Sequence, residues 1–232
     1  MKRLPPFLRR SFLSPAFWFW LALSAFPPEL LSHAFGWGLA DPAYLASSLL
    51  WWPADTLGRL AALRILLEEF DRDARSGPGV LRPSSAALGP ALAAEILLSL
   101  RSAVLALLGI IPCLALYSLL EPAQTLGWAW RLLLGALALG GLLPALFYVL
   151  KRMLAPLELL RRPLRAGEAL DASAARLKGR LKAFVRMALP WLLLSWALDL
   201  GGLALPDWVA LGLALPSLAA QLAPIALSQG LL

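Results

Sequence analysis

Two acidic residues lie inside otherwise apolar stretches: Asp55, two positions after Pro53, and Asp199. An ionised side chain is costly in hydrocarbon, so a carboxylate kept there marks a substrate contact, a proton relay, or an acid satisfied by a structural partner. Arg59, one helical turn beyond Asp55, is within reach of the first, and Arg131 is the partner open to the second. His33 is the only histidine and Cys113 the only cysteine. One of each builds neither a Cys/His metal cluster nor an internal disulfide, and His33 reads as a packing or hydrogen-bonding side chain.

Catalytic signatures are missing as well. There is no His-Glu-x-x-His, no Gly-x-Ser-x-Gly elbow and no Gly-x-x-x-x-Gly-Lys phosphate loop. Metalloprotease, serine-hydrolase and nucleotide-hydrolase chemistry therefore lack their core residues. The expectation is a protein with no catalytic residue, no metal and no cofactor.

The densest functional signal is basic. Residues 151–186 hold Arg161, Arg162, Arg165, Arg176, Lys178, Arg180, Lys182 and Arg186, besides Lys151 and Arg152. Within them Leu170, Ala174, Leu177, Leu181 and Phe184 recur at helical spacing, with cations around the other side. The pattern predicts one amphipathic helix lying on an anionic membrane surface or against a protein partner. An ordinary cytoplasmic loop of a membrane protein would be basic too.

These groups must be positioned by membrane helices. The 232 residues are 60% hydrophobic and only 15% charged, with a mean hydropathy of +0.73. That leaves too little polar surface to cover a soluble globule. The net charge of +7 comes without the aromatic and basic signature of a nucleic-acid binder, so no nucleic-acid partner is expected.

An all-α bundle of about six spans follows, in one domain: residues 11–36, 42–66, 102–120, 132–150, 187–205 and 208–230. Residues 67–101 and 151–186 are read as cytoplasmic amphipathic segments, with 83–94 too short to span and either interfacial or re-entrant. Glu68/Arg72 and Asp71/Arg75 are the expected four-apart ion pairs of the first segment. In this arrangement every Lys and Arg except Arg131 lies on one side, which places both termini on the cytoplasmic side. Trp128 and Trp130 fall at the opposite boundary.

Gly109-Ile110-Ile111-Pro112 is echoed 32 residues on by Gly141-Leu142-Leu143-Pro144. Paired Gly/Pro interruptions mark either helix hinges at a transport site or kinks that serve packing. The hairpin that carries Gly109, Pro112, Gly141 and Pro144 is expected to form the packed centre of the bundle.

Further residues carry a family resemblance. Gly141-Leu142-Leu143-Pro144, Ala155-Pro156-Leu157-Glu158, Glu168-Ala169-Leu170, Ser173, Leu177 and Lys178-Gly179-Arg180 resemble the membrane domain found fused to glycerophosphodiester phosphodiesterases, and similar six-pass bacterial envelope proteins. The likeness covers residues 102–205. It implies a six-helix module in lipid or envelope organisation, without the phosphodiesterase activity, because no such catalytic domain is present. A second likeness is to permease subunits of ATP-binding-cassette importers, whose cytoplasmic loop carries Glu-Ala-Ala, three residues, then Gly. Here Ser173-Ala174-Ala175 precedes Gly179 at that spacing, with Ser in place of Glu. That likeness implies an ATPase docked on residues 151–186. A small autonomous transporter using Asp55 and Asp199 is the remaining alternative, and a protein partner or a second copy of the chain is compatible with each.

Overall fold

The computed structural model describes residues 5–25, 35, 41–73, 81–120, 128–203 and 207–231, and these are helical with short connections. The helices are α1 (Pro6–Leu13), α2 (Pro15–Ala25), α3 (Pro42–Asp73), α4 (Ser84–Leu120), α5 (Trp128–Arg152), α6 (Ala155–Arg161), α7 (Ala166–Leu177), α8 (Leu181–Leu203) and α9 (Asp207–Leu227), closed by a 3-10 turn at Ser228–Leu231. His33 lies outside the described residues.

Among the described residues three stretches are long and apolar enough to cross a membrane: Ser84–Ser118, Leu132–Arg161 and Leu181–Leu198. Expected spans 102–120, 132–150 and 187–205 overlap them, and three such helices mark a membrane protein. Pro15–Ser24 and Leu213–Leu227 are shorter apolar helices. The expected first span is broken at Ser14, which is extended with φ −80° and ψ 121°. Pro15 follows it, and a proline disfavours helical geometry in the residue before it.

Residues 83–94 are neither a separate interfacial helix nor re-entrant. Residues 84–94 are the first turns of α4, which continues unbroken past Pro90 to Leu120. At 1.5 Å per residue its 37 residues extend roughly 55 Å, far beyond ~30 Å of hydrocarbon. The surplus is the N-terminal end, where Ala87, Ala91 and Ala94 are buried in the core.

The core is not where hydropathy places it. It gathers Leu8, Phe17, Leu21, Leu63, Leu66 and Leu67 from α1–α3 with Leu157, Leu160, Leu170, Phe184 and Ala223 from α6–α9. Among the described residues, none of 99–152 belongs to it. The α4–α5 hairpin is therefore peripheral, contrary to expectation. Leu107, Leu108, Ile111, Leu137, Leu139 and Leu143 stand exposed on it. Apolar side chains are satisfied by lipid as well as by protein, so the most hydrophobic helices have the least need to pack.

Close approaches lock the helix pairs. A Cβ at Gly58 would meet Trp20 O at 2.6 Å, so glycine lets α2 and α3 touch, and the Trp51 indole donates to Leu23 O at 3.0 Å across the same pair. Ser195 and Ser217 hydroxyls join α8 to α9 at 2.8 Å, and the Gln221 amide donates to Ser195 Oγ at 3.0 Å. Arg10 on α1 reaches Glu69 at 2.7 Å and also Asp73 on α3. Those two acids, Asp73 first, hold the Arg10 guanidinium above its ordinary pKa. The local pairs differ from the expected ones: Glu68 binds Arg64 at 2.7 Å, and Arg72 binds Glu69 at 2.5 Å. Asp71 is taken by Arg161 at 2.9 Å. Arg75 lies outside the described residues.

Candidate functional site

The basic segment is a packed layer rather than a single surface helix. Helix α6 is buried almost throughout, with Leu157, Glu158, Leu159 and Leu160 all inside. Arg82 fastens its C-terminal end: its backbone N–H donates to Leu160 O at 2.8 Å and its guanidinium to Arg162 O at 3.3 Å. Cationic donors are favourable where helix carbonyls run out of partners. Ser173 on α7 bridges the α5–α6 break. Its Oγ accepts the Leu154 N–H at 3.1 Å and donates to Lys151 O at 3.0 Å.

The amphipathic stripe predicted over Leu170–Phe184 is cut in two. Helix α7 stops at Leu177, and Lys178, Gly179 and Arg180 make a turn before α8. Gly179 has φ +78°, a left-handed conformation that glycine adopts without steric cost. Leu170, Leu177 and Phe184 are buried, in protein rather than in lipid.

The eight predicted contact cations therefore separate. Arg176 turns inward and binds Glu158 at 2.7 Å, with the carboxylate side chain only 4% exposed. Arg161 binds Asp71 at 2.9 Å, an acid 8% exposed. Both leave the expected lipid-facing set, because buried carboxylates on neighbouring elements need a counter-charge more than a lipid surface does. Arg162, Arg165, Lys178, Arg180, Lys182 and Arg186 remain exposed. Arg165 also starts α7, its N–H held by Glu168 Oε2 at 2.8 Å.

Of the two expected polar-site acids, Asp55 is the one whose side chain is described. Asp55 accepts from Arg59 at 2.6 Å, the expected one-turn partner. The second acid beside Arg59 is Glu95 of α4, at 3.5 Å. Its Oε2 also accepts the Trp52 indole N–H at 2.8 Å and the Thr56 hydroxyl at 3.0 Å. Trp52, Thr56 and Arg59 share one face of α3 by their three- and four-residue spacing. Asp199 belongs to α8, and the placement of its side chain, like that of Arg131, lies outside what is described. The sequence signal for Glu95 is its position eleven residues after Ser84 in an apolar helix, a signal that a separate 83–94 element conceals.

Gly109 and Gly141 face each other across the α4–α5 hairpin, backbone against backbone. Helices α4 and α5 run unbroken through Pro112 and Pro144. Cys113 donates only a long contact to Gly109 O, at 3.9 Å. Among the described residues no group of three or more His, Cys, Asp or Glu side chains is arranged to hold a metal ion.

No family model matches the chain, and neither a curated protein nor a solved structure is similar to it.

Proposed function

We propose that the chain is a non-catalytic, six-pass module of a bacterial inner membrane whose cytoplasmic basic face holds anionic lipid. One arrangement carries this reading. Lys151 ends α5, Lys182 and Arg186 begin α8, and the layer folded between these two apolar helices leaves Arg162, Arg165 and Lys178 exposed. Cations at the ends of spanning helices lie at headgroup depth, where each contributes ~1 kcal/mol towards an anionic surface. The absence of catalytic motifs from the sequence supports a binding role, and the likeness to the membrane domain of glycerophosphodiester phosphodiesterases agrees with a lipid partner.

The test is lipid retention by the full chain in mild detergent. Replacing Arg162, Lys178, Lys182 and Arg186 together by Gln should lower co-purifying phosphatidylglycerol several-fold relative to phosphatidylcholine. Equal retention by the wild type and the four-site variant would sink the reading. Co-purification of an ATPase, lost when Gly179 becomes Leu, would replace it with the permease-subunit reading.

A further inference from the structure

A cleft of about 410 Å³ opens where α3, the start of α4, the end of α5 and the end of α9 converge. Its volume falls in the ~300–1,000 Å³ range of small-ligand sites. Leu63, Leu98 and Ile225 stand for its apolar wall, and Arg59, Glu95 and Arg152 are its charged groups.

The three charges are not equally satisfied. Glu95 is answered by Trp52, Thr56 and Arg59. Arg59 is answered by Asp55 and Glu95, although its Nε is buried without a partner. Arg152 is different. Its side chain is only 17% exposed, and the nearest carboxylate oxygen, on the well-exposed Asp171, stands 3.9 Å away. That is longer than a hydrogen bond. The Tyr148 ring covers one face of the guanidinium, 3.8 Å from its carbon, and the buried Nε has no partner. Among the described residues Arg152 makes no side-chain hydrogen bond, yet a guanidinium stays charged at every working pH and offers five donors.

We infer that this cleft binds an amphiphile with an oxyanion head, a phosphate or carboxylate seated on Arg152 and an apolar chain against Leu63, Leu98 and Ile225. A planar fork of donors suits an oxyanion, which it can grip through two parallel hydrogen bonds. Stacking on Tyr148 keeps that fork oriented before the ligand arrives, which reduces the ordering cost of binding. The site is separate from the exposed cations of the basic face and does not rest on their holding lipid.

Dodecyl phosphate is the probe, titrated calorimetrically into the full chain in dodecyl maltoside. Arg152→Gln should weaken its binding about tenfold or more, in line with the loss of a charge-assisted contact. Leu98→Trp, which fills the cleft and leaves the charge in place, should weaken it comparably. The exposed variant Arg9→Gln, outside both the cleft and the four-site set, should bind as the wild type does. Unchanged binding by Arg152→Gln at wild-type helicity overturns the proposal. An equal loss in Arg9→Gln overturns it too, because general attraction of the anion to a cationic protein would then be the cause. If inorganic phosphate binds as tightly as dodecyl phosphate, the occupant is a free anion and the amphiphile is ruled out. Failure of the four-site variant to lose phosphatidylglycerol touches only the basic-face reading, so the two results are read apart.

Discussion

Gly109 and Gly141 are in direct backbone contact: a methyl group on either would land on the other's carbonyl. The two Gly-x-x-Pro copies are thus the two sides of one helix crossing. Each glycine is followed four residues on by a small side chain, Cys113 or Ala145. Small residues at that spacing let membrane helices approach closely enough for backbone van der Waals contact to hold them.

Gly109→Ala and Gly141→Ala should each destabilise the hairpin by about 1–3 kcal/mol, as overpacking of a closed contact does. Gly140→Ala is the control, since a Cβ there meets nothing within 4 Å. It should be neutral, or stabilising by about 0.5–1 kcal/mol through the better helix propensity of alanine. Denaturation in mixed micelles measures all three, and equal effects at 109 and 140 would refute the contact.

Arg176 and Glu158 form a pair in which the acid is buried. Arg176→Ala strands that carboxylate and should cost about 3–5 kcal/mol, whereas Arg176→Met combined with Glu158→Leu should recover most of the loss. Thermal unfolding in detergent distinguishes the outcomes. If the single and double variants melt alike, the pair has no structural weight.

Ser173 is fully buried and bonded on both sides of the α5–α6 break. Ser173→Ala should cost about 1–3 kcal/mol, because Leu154 N–H loses its acceptor in a dry place. Loss of melting temperature in Ser173→Ala, with Ser85→Ala at an exposed site unchanged, is the expected readout.

Glu95 holds Trp52, Thr56 and Arg59 together. Glu95→Ala should destabilise the α3–α4 contact by about 2–4 kcal/mol, since it orphans the Trp52 and Thr56 donors and leaves Arg59 with Asp55 alone. Exchange of the Trp52 indole proton should quicken in that variant, followed by NMR, and unaltered exchange would count against the hydrogen bond.

Topology has its own test, which needs an exposed position as reporter. Asp171, with a side chain 75% exposed, is one. In an otherwise cysteine-free chain, a cysteine at Asp171 should react with an impermeant maleimide from the same side as one at Arg10. A cysteine at Arg131 should react from the other side. Labelling of 171 and 131 from one side would end the six-pass reading.

The sequence determined a good deal by itself. Charge-free runs near 20 residues long announced helices that avoid water, and three of them are long and apolar enough to cross a membrane. The one-turn Asp55–Arg59 pair was also legible, because helix geometry alone brings side chains four apart together. What periodicity does not encode is whether an apolar face meets lipid or protein. The charge-free α4–α5 hairpin is largely exposed, whereas the segment read as a basic amphipathic surface sends Leu157, Leu160 and Leu170 into the core. Nor does spacing name distant partners. Asp71 had an apparent mate in Arg75 but binds Arg161, 90 residues away, and Glu95 joins a cluster whose other members lie on α3. Only the tertiary structure decides these matches, because a buried charge takes whichever counter-charge the fold delivers, and delivery depends on how the helices pack rather than on their order in the chain.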